Sequence, residues 1–148
     1  MKKISFVLIA LLALVAFTGC PTAHDDYDYA TVPDLFIVGA PNYNGDNVFT
    51  KMTPAAGTTT QTYEFTYATA MSANWGSPAD GIAFVITDGD GSWTKLFCDV
   101  ALTLGGGYAT SGADTNNNAT VAGLTAGTAY VITIDYSAKP YKAKIDAK

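Results

Sequence analysis

The residues of this chain that could do chemistry are mostly aromatic rings and side-chain amides. Trp93 and Lys95 follow the segment GIAFVITDGDG, while Trp75, Tyr43 and Asn44 lie in two other segments rich in glycine, proline and asparagine. An exposed ring can stack on the apolar C–H face of a sugar, and amides both donate and accept hydrogen bonds. The composition therefore indicates a ligand-binding surface that contains Trp93, Trp75, Tyr43, Lys95 and Asn44.

Few residues of the chain are suited to catalysis or to metal binding. The single histidine, His24, lies near the N-terminus, so neither a Ser/His nucleophile nor a zinc site can be assembled in the body of the chain. Glu64 is the only glutamate, and four of the aspartates occupy turn-like positions, which disfavours the paired carboxylates of a glycosidase. Asp88 and Asp90 could begin a calcium loop, but the later glycine and distal glutamate are missing, which favours a plain turn. We expect no catalysis and no cofactor.

A β-hairpin over residues 81–100 must position Trp93. Residues 82–87 form an apolar run, residues 88–91 turn the chain, and residues 93–100 alternate between apolar and polar side chains. This period of two predicts an apolar side with Leu96, Cys98 and Val100, and a side facing water with Trp93, Lys95, Phe97 and Asp99. Two interpretations of Trp93 stay open: a ligand platform, or a ring packed under a loop.

The remaining segments also predict strands. The last hairpin places Tyr130, Ile132 and Ile134 on one face, with Lys142 and Lys144 outside. Residues 104–120, rich in glycine and asparagine, form a long connection that is either a surface loop or the rim of a site. Seven or eight strands at this spacing predict an all-β fold, an antiparallel immunoglobulin-like β-sandwich.

The N-terminus predicts export. Lys2 and Lys3 precede an apolar run from Ile4 to Phe17 that is too short to span a membrane, and Thr18-Gly19-Cys20 follows. This ending resembles the bacterial lipoprotein signal, in which the cysteine after glycine becomes the lipidated first residue. We expect a signal peptide at 1–19, an acidic flexible tether at 20–33 and a β-sandwich at 34–148. An ordinary secretory signal and an uncleaved anchor are the alternatives.

Charge narrows the possible partners. Removal of residues 1–19 takes away two lysines, so six lysines and 13 acidic residues leave a net charge of −7, with no arginine in the chain. Nucleic acids and anionic headgroups are therefore disfavoured, and no bidentate arginine clamp for phosphate can form. If Cys20 carries lipid, Cys98 has no disulfide partner and is expected to be a buried small hydrophobe.

Three segments, LFIVGA (35–40), IAFVITDGDGSW (82–93) and residues 127–145, resemble the repeated domains of SusE/SusF-type outer-membrane starch-binding lipoproteins. The resemblance places Trp93 at the family's middle tryptophan. It implies a non-catalytic module, lipid-anchored on the cell surface or the periplasmic face, that binds a neutral polysaccharide such as a starch-like α-glucan and contacts an outer-membrane transport complex. The chain departs from the family in its first loop, where Tyr43-Asn44 replaces Gly-Trp, and in having one domain.

A second resemblance concerns the segment from Leu124 to Ile134. Leu124, Gly127 and Tyr130 have the spacing of a tyrosine corner, a feature of fibronectin type III domains. This resemblance implies a structural or adhesion module of the cell envelope with no glycan ligand. The early tryptophan of such domains is missing here.

The signal peptide gives the first testable prediction. Replacing Cys20→Ala removes the thiol that would accept the lipid, so processing should stop and a longer precursor should accumulate. Gel mobility and metabolic labelling with a fatty acid would measure this, with Cys98→Ala as the control that keeps both cleavage and label. Cleavage and release of Cys20→Ala at the wild-type rate would contradict lipidation.

Overall fold

The structure, a computed structural model, describes residues 32–148. The predicted signal peptide and Cys20 lie outside these residues, as does His24. Eleven strands in two sheets and two short 3-10 helices make up the described part, so the all-β prediction is confirmed. None of the helices in this part is long and apolar enough to cross a membrane.

The first sheet is built around one strand that is buried on both faces. This strand, β5 (Ile82–Thr87), is apolar along nearly its whole length and buried at every position, as expected for a strand that other elements cover on both sides. The sheet order is β2-β1-β5-β9-β7, and β6 pairs with the C-terminal part of β5. The other strands are β1 (Phe36–Gly39), β2 (Thr50–Lys51), β6 (Lys95–Phe97), β7 (Ala101–Leu102) and β9 (Ala119–Val121).

The second sheet contains the longest strands. Its order is β3-β4-β10-β11-β8, formed by β3 (Thr53–Pro54), β4 (Thr60–Thr66), β8 (Ala109–Thr110), β10 (Ala129–Asp135) and β11 (Lys142–Ala147). β10 alternates between buried and half-buried side chains. Tyr130, Ile132 and Ile134 are in the core and Lys142 is exposed, which confirms the predicted faces of this hairpin.

The two sheets pack face to face as a β-sandwich. One large apolar cluster contains Ile37, Phe84 and Ile86 of the first sheet together with Ile132 and Ile145 of the second. The sheets are also joined at both margins. At one margin the buried Met52 connects β2 to β3, and at the other Leu104 forms a bridge with Ile145.

Two details differ from the prediction of seven or eight antiparallel strands. β2, β3, β7 and β8 are only two residues long and lie at the four margins, too short to leave an alternating pattern in the sequence. In addition, β7 and β9 run parallel, because Ala101 pairs with Thr120 and Leu102 with Val121 in the same direction.

Tyr130 forms the hydrogen bond expected of a tyrosine corner. Its ring is buried at the start of β10, and its hydroxyl oxygen accepts a hydrogen bond of 2.8 Å from the backbone N–H of Thr125. The bond satisfies a phenolic group that would otherwise be buried without a partner. It also fixes the connection that enters β10, so the spacing noted in the sequence corresponds to a real contact.

The predicted faces of residues 93–100 are wrong at Phe97. Phe97 has no exposed surface and its ring stacks on Phe84 in the core, with centroids 6.3 Å apart. The reason is a register shift in β6: Ile86 pairs with Phe97 but Thr87 pairs with Lys95, so Leu96 is an extra residue. Such a bulge resets the alternation of side chains. Cys98 is buried as expected, but on the opposite face of the sheet from Phe97.

Core packing gives the second prediction. Ile132→Ala should lower the free energy of unfolding by about 2 to 5 kcal/mol, because it opens a cavity at a fully buried position between the sheets. Val131→Ala, at the neighbouring outward-facing position, is the control and should cost much less. Urea denaturation followed by circular dichroism measures both; equal losses for the two variants would contradict the assignment of faces.

Candidate ligand-binding site

A second, smaller apolar cluster lies on the outer face of the first sheet. Val38 and Val85 are cross-strand partners in β1 and β5, and with Cys98 they form a buried group separate from the main core. Phe49 and Trp75 pack over this group. The face predicted to meet water is therefore covered by aromatic side chains at its centre.

Three rings form a connected aromatic cluster on this face, made of Phe49, Trp75 and Trp93. Trp93 contacts Phe49 edge to face with centroids 5.1 Å apart, and it stacks on Trp75 at 6.1 Å with 21° between the planes. Even so, 52% of Trp93 is exposed. One side of the Trp93 ring therefore packs against the protein and the rest faces solvent, so the ring is not buried under a loop, and its role as a ligand platform stays a prediction.

The backbone at Trp75 adopts a conformation that bulky residues rarely take. Its φ is 60°, in the left-handed region, and Gly76 follows with φ 68°. The turn is held by Ser77, whose hydroxyl donates to the Asn74 carbonyl at 2.6 Å and accepts from the Ala83 N–H at 2.8 Å. A left-handed non-glycine residue costs roughly 1 to 3 kcal/mol, so the fold stabilises the direction in which this ring points.

An open cleft of about 480 Å³ adjoins Trp75. We call it the asparagine cleft, because three consecutive asparagines form much of its wall. The residues that matter for its chemistry are Trp75, Asp99, Asn116, Asn117, Asn118 and Thr120. The amides, the hydroxyl and the carboxylate can form hydrogen bonds with a polar ligand, and the indole ring can pack on an apolar face.

Asn118 ties the cleft to the aromatic cluster. Its side-chain N–H donates to the Trp75 carbonyl at 3.1 Å. Its amide oxygen accepts from the Lys95 ammonium at 3.5 Å, and the same ammonium lies 3.5 Å from the Asn117 carbonyl. Lys95 and Trp75, both predicted as site residues, are thus joined through a residue that the sequence analysis did not select.

Two carboxylates hold the wall of the cleft. The side-chain amide of Asn117 donates to Asp99 at 3.0 Å and to Asp114 at 3.1 Å. The second oxygen of Asp99 accepts from the Asp114 N–H at 3.1 Å, and Asp114 also accepts from the Asn116 N–H at 2.9 Å. Asp99, like Trp75, has a positive φ, of 52°. This network fixes residues 114–117 against Asp99, which lies in the connection between β6 and β7.

Tyr43 and Asn44 are not joined to this group. Tyr43 is 37% exposed, and among the described residues no ring contact links it to either tryptophan. Asn44 caps its own turn by accepting from the Asp46 N–H at 3.3 Å. The loop that carries them is fixed by Asn42, whose amide donates to three acceptors: Ile37 O, Val48 O and Thr50 Oγ1.

Asp88 and Asp90 lie in the turn that follows β5. The Ser92 hydroxyl donates to Asp88, which is the local bonding of an ordinary turn. Within residues 32–148, no three acidic, histidine or cysteine side chains are grouped so that they could hold a metal ion.

Sequence reasoning missed Asn116, Asn118 and Asp99 as site residues. The three consecutive asparagines are evident in the sequence. Asn118, however, contacts a residue 43 positions earlier in the chain, Trp75, and no local sequence pattern predicts a contact between residues so far apart. Comparisons of the chain with protein-family models, with curated proteins and with solved structures gave no match. The chemistry of the site is therefore the basis for a functional assignment.

Gly112 gives a prediction for the wall of this cleft. Its N–H donates to the Cys98 carbonyl at 2.9 Å, and a Cβ here would overlap the backbone and side chain of Asp99. Gly112→Ala should therefore displace residues 111–118 and cost roughly 1 to 3 kcal/mol. Gly107→Ala is the matched control, because nothing lies within 4 Å of its Cβ position. Chemical denaturation compares them; a Gly112→Ala variant as stable as Gly107→Ala would contradict the close contact.

Proposed function

We propose that this domain binds a neutral polysaccharide, a starch-like α-glucan in the first instance, and that it does so without catalysis. The observation that carries the proposal is a tryptophan, Trp93, that is half exposed although two other rings fix it in place. A cleft lined with amides adjoins it through Trp75. Flat rings beside donor and acceptor groups suit the apolar faces and hydroxyl rims of sugars.

The contacts of Trp93 favour binding in a second way. A ring that already packs against Phe49 and Trp75 has little rotational freedom left to lose when a ligand stacks on it. The ring therefore retains more of its stacking energy than a free surface tryptophan would. By analogy with bases stacked on aromatic side chains, this energy is about 1 to 3 kcal/mol for each stacked unit.

Charge supports a neutral ligand. Asp99 lines the cleft, and the ammonium of Lys95 is directed at Asn117 and Asn118. An anionic sugar would meet repulsion from Asp99. The carboxylates also support binding rather than hydrolysis: Asp99 and Asp114 both accept from one amide of Asn117, whereas a glycosidase needs two carboxylates that flank the scissile bond.

We further propose an immunoglobulin-like topology and a lipid-anchored setting. β1 and β5 are neighbours in the first sheet, and β4 and β10 are neighbours in the second. In chain order β1, β4, β5 and β10 alternate between the sheets, and this alternation and the corner at Tyr130 support the topology. The predicted lipidation of Cys20 supports attachment at the outer membrane, on the cell surface or its periplasmic face. Association with a transport complex there rests on the family resemblance alone.

A structural or adhesion module is the second candidate function. The tyrosine corner at Tyr130 favours it, since fibronectin type III domains carry the same hydrogen bond. That contact stabilises the sandwich whatever the ligand is, so it does not oppose glycan binding. The exposed ring of Trp93 has no role in such a module, and for this reason we rank glycan binding first.

Removal of the exposed ring tests the proposal. Trp93→Ala should weaken glucan binding about tenfold or more, because one stacked sugar unit loses its partner. The free energy of unfolding should fall by at most about 1 to 3 kcal/mol, since the ring makes two aromatic contacts that contribute about 0.5 to 1.5 kcal/mol each. Affinity electrophoresis in starch and in other neutral glucans, run beside a melting curve, measures both quantities.

Tyr108→Ala is the control for this experiment. Tyr108 is also an exposed ring, but it contacts Lys144, a residue of the second sheet, rather than the aromatic cluster. Its removal should leave retardation unchanged. If none of the glucans retards the wild-type protein, the structural module becomes the better account. A large loss of stability in Trp93→Ala with unaltered retardation would assign Trp93 to packing alone.

A further inference from the structure

We infer that the ligand is a linear oligosaccharide of at least two sugar units, with one unit on the Trp93 ring and an adjacent unit in the asparagine cleft. The inference rests on the proposed function and adds a second subsite to it. It assigns direct contacts with sugar hydroxyls to Asn116 and Thr120. Neither residue was selected by sequence analysis.

Trp75 makes the two subsites contiguous. It stacks on Trp93 at 6.1 Å and is also one of the residues that line the cleft. Because the Trp75 ring belongs to both, a linear ligand that extends from Trp93 across Trp75 reaches the cleft. The cleft volume of about 480 Å³ is within the range of about 300 to 1,000 Å³ for small-molecule sites, and it is open, so a chain can continue beyond it.

The polar groups of the cleft divide into two sets. Asn117 and Asn118 use their amides to hold Asp99, Asp114 and the Trp75 carbonyl in place. They act as positioning residues. By contrast, the side chains of Asn116 and Thr120 line the cleft without a hydrogen-bond partner among residues 32–148. Those two groups remain available to a ligand.

The position of Thr120 follows from the strand that carries it. Ala119 and Val121, its neighbours in β9, are buried in the main core, so the Thr120 side chain must face outward from the first sheet. Its backbone N–H is already bonded to the Val100 carbonyl at 2.9 Å. The hydroxyl is thus held at a fixed height on the cleft wall by a strand rather than by a loop.

If both subsites bind sugar, the affinity of the protein for an oligosaccharide should rise with the number of sugar units. Glucose can occupy one subsite, whereas maltose and longer maltooligosaccharides can occupy both, and the second unit adds its contacts without a second loss of translational freedom. Removing one hydrogen-bonding group from the cleft should lower the affinity for the longer sugars about three- to tenfold. The same change should leave the weak binding of glucose unaltered, because the Trp93 subsite is intact.

Isothermal titration calorimetry of the purified protein with glucose, maltose, maltotriose and maltohexaose tests this. Asn116→Ala and Thr120→Val are the test variants, and Thr133→Val is the matched control. Thr133 is also a half-buried threonine in the middle of a strand, but it faces outward from the second sheet. Melting temperatures of all variants, within a few degrees of wild type, would verify that each protein is folded.

The expected result is a rise in affinity of tenfold or more from glucose to maltotriose, reduced in Asn116→Ala and Thr120→Val and unchanged in Thr133→Val. Affinity that does not increase with chain length would overturn the inference, as would equal behaviour of Thr120→Val and Thr133→Val. In either case a loss of binding in Trp93→Ala would leave the proposed function standing. If the wild type binds no neutral glucan of any length, both fail.

Discussion

Burial of β5 on both faces is the constraint on which the rest of the structure depends. Its inward side chains, such as Phe84, join the main core between the sheets, while Val85 on the other face needs a separate cover. An apolar strand cannot leave that face in water without losing about 25 cal/mol for each Å² of apolar surface. Phe49 and Trp75 supply the cover, and Trp93 packs onto them. The proposed binding surface is thus a consequence of how the first sheet is covered.

The aromatic cover of the first sheet is also the proposed binding surface, and the two tryptophans contribute to it in different ways. Trp75 packs against both apolar clusters and is held in a strained turn, so its contribution is chiefly to the position of its neighbours. Trp93 packs onto Phe49 and Trp75 and keeps about half of its surface exposed to solvent. The wall of the asparagine cleft is joined to Trp75 by the hydrogen bond from the Asn118 side chain to the Trp75 carbonyl. Rings and amides therefore form one connected layer above the sheet.

Elements whose sequence pattern is local could be predicted from the sequence alone. Ile132 and Ile134 alternate with polar residues along a long strand, and the spacing from Leu124 to Tyr130 encodes its corner; both were predicted and both are present. Phe97 was assigned to the wrong face because one bulge residue, Leu96, shifts the alternation, and no local composition marks it. Residues 104–120 were noted as a possible rim, but its individual residues were not identified, because Asn118 meets Trp75 only after the chain has passed through four more strands.

The short strands at the four margins of the sheets have a consequence for behaviour at high concentration. A long unpaired strand offers a row of N–H and C=O groups on which another molecule can add a strand, which is a common route to aggregation. Here β2, β3, β7 and β8 each offer only two residues, and Leu104 covers part of the outer edge of β11. At these four strands a neighbouring copy therefore finds a template of only two residues for sheet extension.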